Sequence, residues 1–145
     1  MKLNPGTYEG CARGYGGRLY VSAEVSEGSI LSVKITKHRE YRGIAWGLNT
    51  TPIESFPGLI VKYQSLNIPP VTGADVTCEA ILGAVSAALA AAGASEEDIA
   101  ALRSAPGPVP PEYEDEVRHV DVVVCGAGAG GLAAAIEVKE AGGDV

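Results

Sequence analysis

The sequence predicts an α+β fold: an antiparallel hairpin sheet covered by helices, followed by the strand–turn–helix start of a second unit. Three observations predict it. From residue 19 to 36, apolar and polar side chains alternate with a period of two around one turn. From 79 to 92, apolar side chains recur at helical spacing. From 120 to 138, a run of valines passes through a glycine-rich turn into a second helical pattern.

The elements follow in order. Residues 7–11 form a short strand, and Gly14, Gly16 and Gly17 make a turn after it. These glycines join two strands rather than a strand and a helix, so they read as turn residues and not as a phosphate loop. Leu19, Val21, Ala23 and Val25 point one way, with Tyr20, Ser22 and Glu24 opposite. After the turn Glu27-Gly28-Ser29, Leu31, Val33 and Ile35 alternate with Ser32, Lys34 and Thr36, giving a hairpin with one buried face. Thr51-Pro52-Ile53-Glu54 reads as a helix start, with a capping box and proline at the first helical position. Pro57 is expected to interrupt that helix, leaving Leu59, Ile60 and Tyr63 as a second short face.

Ile81, Leu82, Val85 and Leu89 then line the core side of the helix over 79–92, with alanines permitting close packing on the sheet, and Gly93 ends it. Ser95-Glu96-Glu97-Asp98 opens a short further helix whose buried face is Ile99 and Leu102. Four prolines between 104 and 111 preclude helix and favour extended chain, and the acidic run over 112–116 is solvated. This places the boundaries at 1–103 for the first domain, 104–119 for a Pro-rich acidic linker and 120–145 for the start of a second domain.

Composition narrows the function. A chain of 145 residues is one domain plus something more. Its net charge is −7 with no basic patch, which excludes nucleic acid as an expected partner. Cys11, Cys78 and Cys125 have no metal-ligand spacing, and an odd, sparse set fits a reducing compartment. No membrane segment is visible and residues 1–6 lack the apolar run of a secretory signal, so the expected location is cytoplasmic.

Function is expected at the small-residue loop 70–79, which carries hydroxyls at Thr72 and Thr77 and feeds the helix after it. Such a loop presents free N–H groups at the positive end of a helix dipole, a site for phosphate. Asp75 or Thr77 could equally cap the helix; the two readings are not exclusive. A second candidate is Gly126-Ala127-Gly128-Ala129-Gly130-Gly131. Gly126, Gly128 and Gly131 fit G-x-G-x-x-G between a strand, 120–125, expected to be buried, and a helix. That is the mechanism's required context for a Rossmann-type dinucleotide site. A lone strand and helix cannot bury their own core, so these residues read as the front of a longer protein or a truncated copy of one.

Thr72-Gly73-Ala74-Asp75-Val76-Thr77, followed by Glu79-Ala80-Ile81-Leu82-Gly83, resembles the signature of the FMN-binding domain family. The opening Gly-Thr-Tyr-Glu-Gly and the Gly-Tyr-Gly-Gly turn resemble the family's start. His38, Glu40 and Gly43 match its His-x-Glu-Thr-Pro-Gly segment, where Tyr41 and Arg42 depart. Residues from 120 onward resemble the FAD domain of fumarate-reductase and succinate-dehydrogenase flavoproteins. The resemblance implies FMN near Thr72, Gly73, Ala74, Asp75 and Thr77, with His38 and Glu40 facing it. Trp46 packs or flanks the flavin ring. It also implies FAD at Gly126, Gly128 and Gly131 in a longer parent, and electron transfer from an unknown donor through FMN to FAD.

The family joins FMN covalently to the hydroxyl directly after its Ala. Asp75 stands there, and Pro69 and Pro70 replace an acidic neighbour, so the expected FMN is noncovalent. No residue is assigned as catalytic acid or base, and the chain by itself is expected not to reduce a substrate. A rival reading is a degenerate FMN fold that serves as an interaction module without flavin.

Overall fold

A computed structural model describes residues 1–41, 51–109 and 115–145. The chain divides into two compact units, Met1–Pro110 and Pro111–Val145. The first carries a three-stranded antiparallel meander, β1 (Gly6–Arg13), β2 (Arg18–Val25) and β3 (Ile30–Lys37), in the order β1-β2-β3. Three helices follow: α1 (Pro52–Tyr63), α2 (Asp75–Ala91) and α3 (Glu96–Ser104).

The sheet forms because β2 alternates. Leu19, Val21, Ala23 and Val25 are buried, while Tyr20, Ser22 and Glu24 are not. β3 departs from the expected pattern at its start. Val25 pairs with Ile30 but Glu24 pairs with Ser32, so an extra residue sits between them. This bulge turns Leu31 outward, 53% exposed, and puts Ile30 in the core instead.

The buried face of the sheet is covered by α1, over β3, and by α2, over β1 and β2. α1 runs through Pro57 without a break, contrary to the sequence expectation. A proline there removes one hydrogen bond, to the carbonyl four residues back. Phe56 and Ile60 on either side are fully buried, and that packing outweighs the loss. Glu54 accepts a hydrogen bond from the Thr51 backbone N–H at 3.3 Å, its half of the expected capping box. The helix ends at Gln64 in a left-handed conformation. The Gln64 amide then clasps Ile30: its oxygen accepts from the Ile30 N–H and its nitrogen donates to the Ile30 carbonyl, both at 2.8 Å. The side chain acts as a short strand against the start of β3.

α2 is the core helix. Ile81, Leu82, Ala84, Val85, Ala88 and Leu89 are all buried. It starts four residues earlier than the apolar spacing suggests, because the turn closed by the Ala74 N–H and the Val71 carbonyl (2.9 Å) already launches the helix at Asp75. α3 has the expected Ser95 cap, with Asp98 N–H donating to the Ser95 hydroxyl at 3.1 Å. Ile99 and Leu102 are half-buried rather than buried. The chain stays attached beyond α3. The Ala105 carbonyl accepts from the Ser65 hydroxyl at 3.2 Å and the Asn67 amide at 3.1 Å.

Cys78, inside α2, is buried, whereas Cys11 and Cys125 are exposed. Burial is the chief cause that pushes the Cys78 thiol up, with Asp75 and Glu79 acting in the same direction and the Val71 N–H against it. The folded state therefore holds this proton longer than the unfolded chain. Its contribution to stability is fully present below the ordinary thiol range and is lost as pH rises through that range toward the folded value. We expect thermal stability to fall between pH 7 and 10 less steeply in Cys78→Ala than in the native protein. In a thiol-labelling series on the native protein, Cys11 and Cys125 should react at once and Cys78 only on unfolding.

The second unit contains α4 (Ala129–Glu140), none of whose residues is buried. Residues 120–125, expected to be a buried strand, make no strand pairing among the described residues, and Val122 and Val123 are exposed. Among the described residues no neighbouring strand stands there to complete a ladder. The segment is instead tied to the end of the unit, with the Asp121 and Val122 N–H groups donating to the Asp144 carbonyl, each at 3.1 Å.

Candidate functional site

Three chain segments meet at the N-terminal end of α2. The helix brings Asp75, Val76 and Thr77, the preceding turn brings Gly73 and Ala74, and the segment after β3 brings Glu40 and Tyr41. Together with Tyr15 from the β1–β2 turn, these residues line a cavity of about 520 Å³.

Glu40 holds this arrangement together. Its side chain is only 7% exposed. One carboxylate oxygen accepts from the Gly16 N–H at 2.9 Å. The other accepts from the Tyr15 N–H at 3.2 Å and from the Thr77 hydroxyl. Glu40 thus pins the glycine turn to the first turn of α2. The glycines make the approach possible: a Cβ on Gly14 would lie 2.9 Å from the Glu40 carboxyl carbon, and one on Gly16 would strike the Arg39 backbone. Their role as turn residues holds, since the Gly14 N–H closes the turn on the Gly17 carbonyl at 2.7 Å.

The helix end itself is open. Ala74 is the N-cap residue, and no side chain caps α2. Neither Asp75 nor Thr77 caps it, as one sequence reading allowed. Asp75 lies exposed in the first turn, and the Thr77 hydroxyl is turned to Glu40. The first N–H groups of a 17-residue helix therefore lack a side-chain partner.

Tyr15 and Tyr41 flank the cavity. They are 72% and 67% exposed, with ring centroids 6.4 Å apart and planes inclined at 55°. Sequence reasoning missed Tyr15 as a site residue; its place in a glycine turn concealed that the turn folds back on Glu40. Of the residues expected here, Gly73, Ala74, Asp75, Thr77 and Glu40 line the cavity, while Thr72 and His38 do not. His38 supports the segment from behind, its Nδ1 accepting from the Glu40 N–H at 3.2 Å. Gly43 and Trp46 lie outside the described residues.

In the second unit, Gly126 has φ +119°, which favours glycine, and a Cβ on Gly131 would lie 3.0 Å from the Gly126 carbonyl carbon. Nothing approaches Gly128. Among the described residues no group of His, Cys, Asp and Glu could hold a metal ion, and no helix is long and apolar enough to cross a membrane.

An uncapped helix end beside an exposed aromatic pair can receive a phosphorylated aromatic ligand. Residues 14–90 match the FMN-binding domain, and the chain belongs to that family. It is 40% identical over 138 residues to urocanate reductase of Eggerthella lenta, covering 95% of this chain and 22% of that protein. It is 35% identical over 143 residues to NADH:acrylate oxidoreductase of Vibrio harveyi, covering 98% of this chain and 14% of that protein. The chain thus spans less than a quarter of the length of these relatives.

Proposed function

We propose that this chain is the FMN-binding electron-transfer module of a longer flavoprotein reductase, and that it holds FMN without a covalent bond. The uncapped end of α2, opening into a cavity flanked by two exposed tyrosines, is the observation that carries this reading. The backbone N–H groups of Asp75, Val76 and Thr77 would hold the phosphate. Tyr15 and Tyr41 would line the ring. When bound, a flavin supplies one- or two-electron transfer. Glu40, with its three donors, keeps the two walls of the cavity at a fixed spacing and leaves the Thr77 hydroxyl oriented. Asp75 offers no hydroxyl for a phosphoester, which supports noncovalent binding.

The segment from residue 120, within the second unit, we infer to begin an FAD-binding domain to which the electrons pass. The positive φ of Gly126 and the close approach of Gly131 support a dinucleotide turn. The domain boundaries we favour are 1–103, a linker over 104–119, and 120–145. Urocanate and acrylate, named in the two relatives, are both α,β-unsaturated carboxylates. That is the substrate class we infer for the parent protein.

FMN titrated into the native chain should bind saturably with quenched fluorescence. Asp75→Asn should tighten binding by the order of 1 kcal/mol, the size of one charge repulsion at an exposed site. Intact mass after co-expression with a flavin transferase should show no adduct. A flavin that survives denaturation would overturn the noncovalent assignment. A folded chain that takes up no FMN would overturn the FMN reading and favour an interaction module that binds no flavin.

A further inference from the structure

Two carboxylates line the cavity at the start of α2, those of Glu40 and Asp75. Glu40 is buried and accepts from the Tyr15 and Gly16 N–H groups and from the Thr77 hydroxyl. Both of its oxygens act as acceptors, the bonding pattern of an ionised carboxyl. Asp75 lies exposed at the first position of the helix. The other titratable side chains of the lining are the phenols of Tyr15 and Tyr41, and among the described residues no basic side chain lines it.

The groups around the lining do not reverse this. His38, behind Glu40, uses Nδ1 to accept from the Glu40 N–H at 3.2 Å, so that nitrogen carries no proton. Cys78 is buried within α2. Glu79, one turn on from Asp75, is engaged by Arg103 of α3 at 3.3 Å. Arg13 borders Asp75 and Glu79 only across a separate hollow. Gly10 and Ala12 face α2, Gly10 against the Ala84 and Ala88 backbone and Ala12 against Gly83, so strand alternation turns the Arg13 side chain to the opposite face.

A phosphate held at the N–H groups of residues 75–77 therefore shares its site with two negative side chains. The helix dipole supplies only about half a positive charge against them. A phosphate monoester gains its second negative charge near about pH 6. Like charges nearby raise the pH at which that last proton leaves. The complex then keeps a proton that free FMN has largely lost at neutral pH. Asp75 carries one of the phosphate-holding amides itself, and its carboxylate is the acceptor for that proton.

We propose that Asp75 couples FMN binding to proton uptake: the phosphate binds as its monoanion, its remaining O–H donating to the Asp75 carboxylate, and one proton enters from solvent with each FMN. Binding is then favoured below the raised phosphate pKa and weakens as pH rises through it. This rests on the FMN reading, and the test separates the two. FMN and riboflavin are each titrated by fluorescence into the native chain and Asp75→Asn from about pH 5.5 to about 8.5, and phosphorus NMR follows the bound phosphate over the same range. Native affinity for FMN should fall by about fivefold to tenfold across it, while riboflavin affinity stays level. The bound phosphate should titrate about one pH unit above free FMN. Asp75→Asn should bring that midpoint back toward the free value and tighten FMN most at the alkaline end. A bound phosphate titrating at or below the free value, or at the same raised value in Asp75→Asn, would overturn the proposal and leave the FMN reading intact. An equal fall for riboflavin would also overturn it, because the effect would not belong to the phosphate. If the folded native chain bound neither flavin at any pH, both readings would fall.

Discussion

Gly10→Ala should destabilise the first unit by roughly 3 kcal/mol, lowering its melting temperature by more than about 10 °C. Gly10 lies in β1 under α2. A Cβ there would stand 2.6 Å from the Ala88 nitrogen and 3.1 Å from the Ala84 carbonyl carbon, with the Ala84 oxygen nearer still. These are main-chain atoms of a helix whose Ala84, Val85, Ala88 and Leu89 are buried, so no side chain can swing aside. The helix itself must retreat from the sheet, which opens the rest of the interface. Gly83 provides the contrast on the same interface. A Cβ there meets only the Ala12 Cβ at 3.4 Å, an ordinary contact. Gly83→Ala should be neutral or stabilising by up to about 1 kcal/mol, the helix-propensity gain. Thermal or urea unfolding of both variants checks the pair. Equal effects would mean that α2 does not lie against β1 at Gly10.

Glu40→Ala should cost roughly 2–4 kcal/mol and weaken FMN binding as well. Truncation leaves the Tyr15 and Gly16 N–H groups and the Thr77 hydroxyl without their acceptor, in a region where Thr77 is only 9% exposed. It also frees the glycine turn that carries Tyr15. Glu40→Gln keeps the shape but aims an NH₂ group at donors, so it should recover only part of the loss. A double-mutant cycle with Thr77→Val isolates the shared bond, and the two losses should be less than additive. Strict additivity would show that the Thr77 hydroxyl gains nothing from Glu40.

Much of this was readable from the chain because it is local. The period of two in β2 and the helical spacing of α2 report burial directly, and the structure buries those same residues. Where the reading failed, contacts distant in sequence decided. Leu31 turned outward because of a register shift between strands, which depends on the partner strand and not on β3 alone. Pro57 stays helical because Phe56 and Ile60 find a core. The valines over 120–125 spell a buried strand by composition, but a strand needs a neighbour. At the site, the loop and helix start were legible as a motif. The Glu40 bridge to Tyr15 and Gly16 spans 25 and 24 residues, and the Gln64 clasp on Ile30 spans 34; no periodicity encodes either. The only sequence signal for the bridge was the density of glycines at 14, 16 and 17, which is where a carboxylate had to come close.

FMN is proposed to sit in the cavity at the start of α2. Titrating FMN into the isotopically labelled 145-residue chain and following the backbone amides tests it directly. The largest shifts are expected at Tyr15, Gly16, Glu40, Tyr41 and the amides of residues 73–77, saturating together at one affinity. Shifts confined to residues 126–131, or none at the α2 end while the amides elsewhere remain dispersed as in a folded protein, would contradict it.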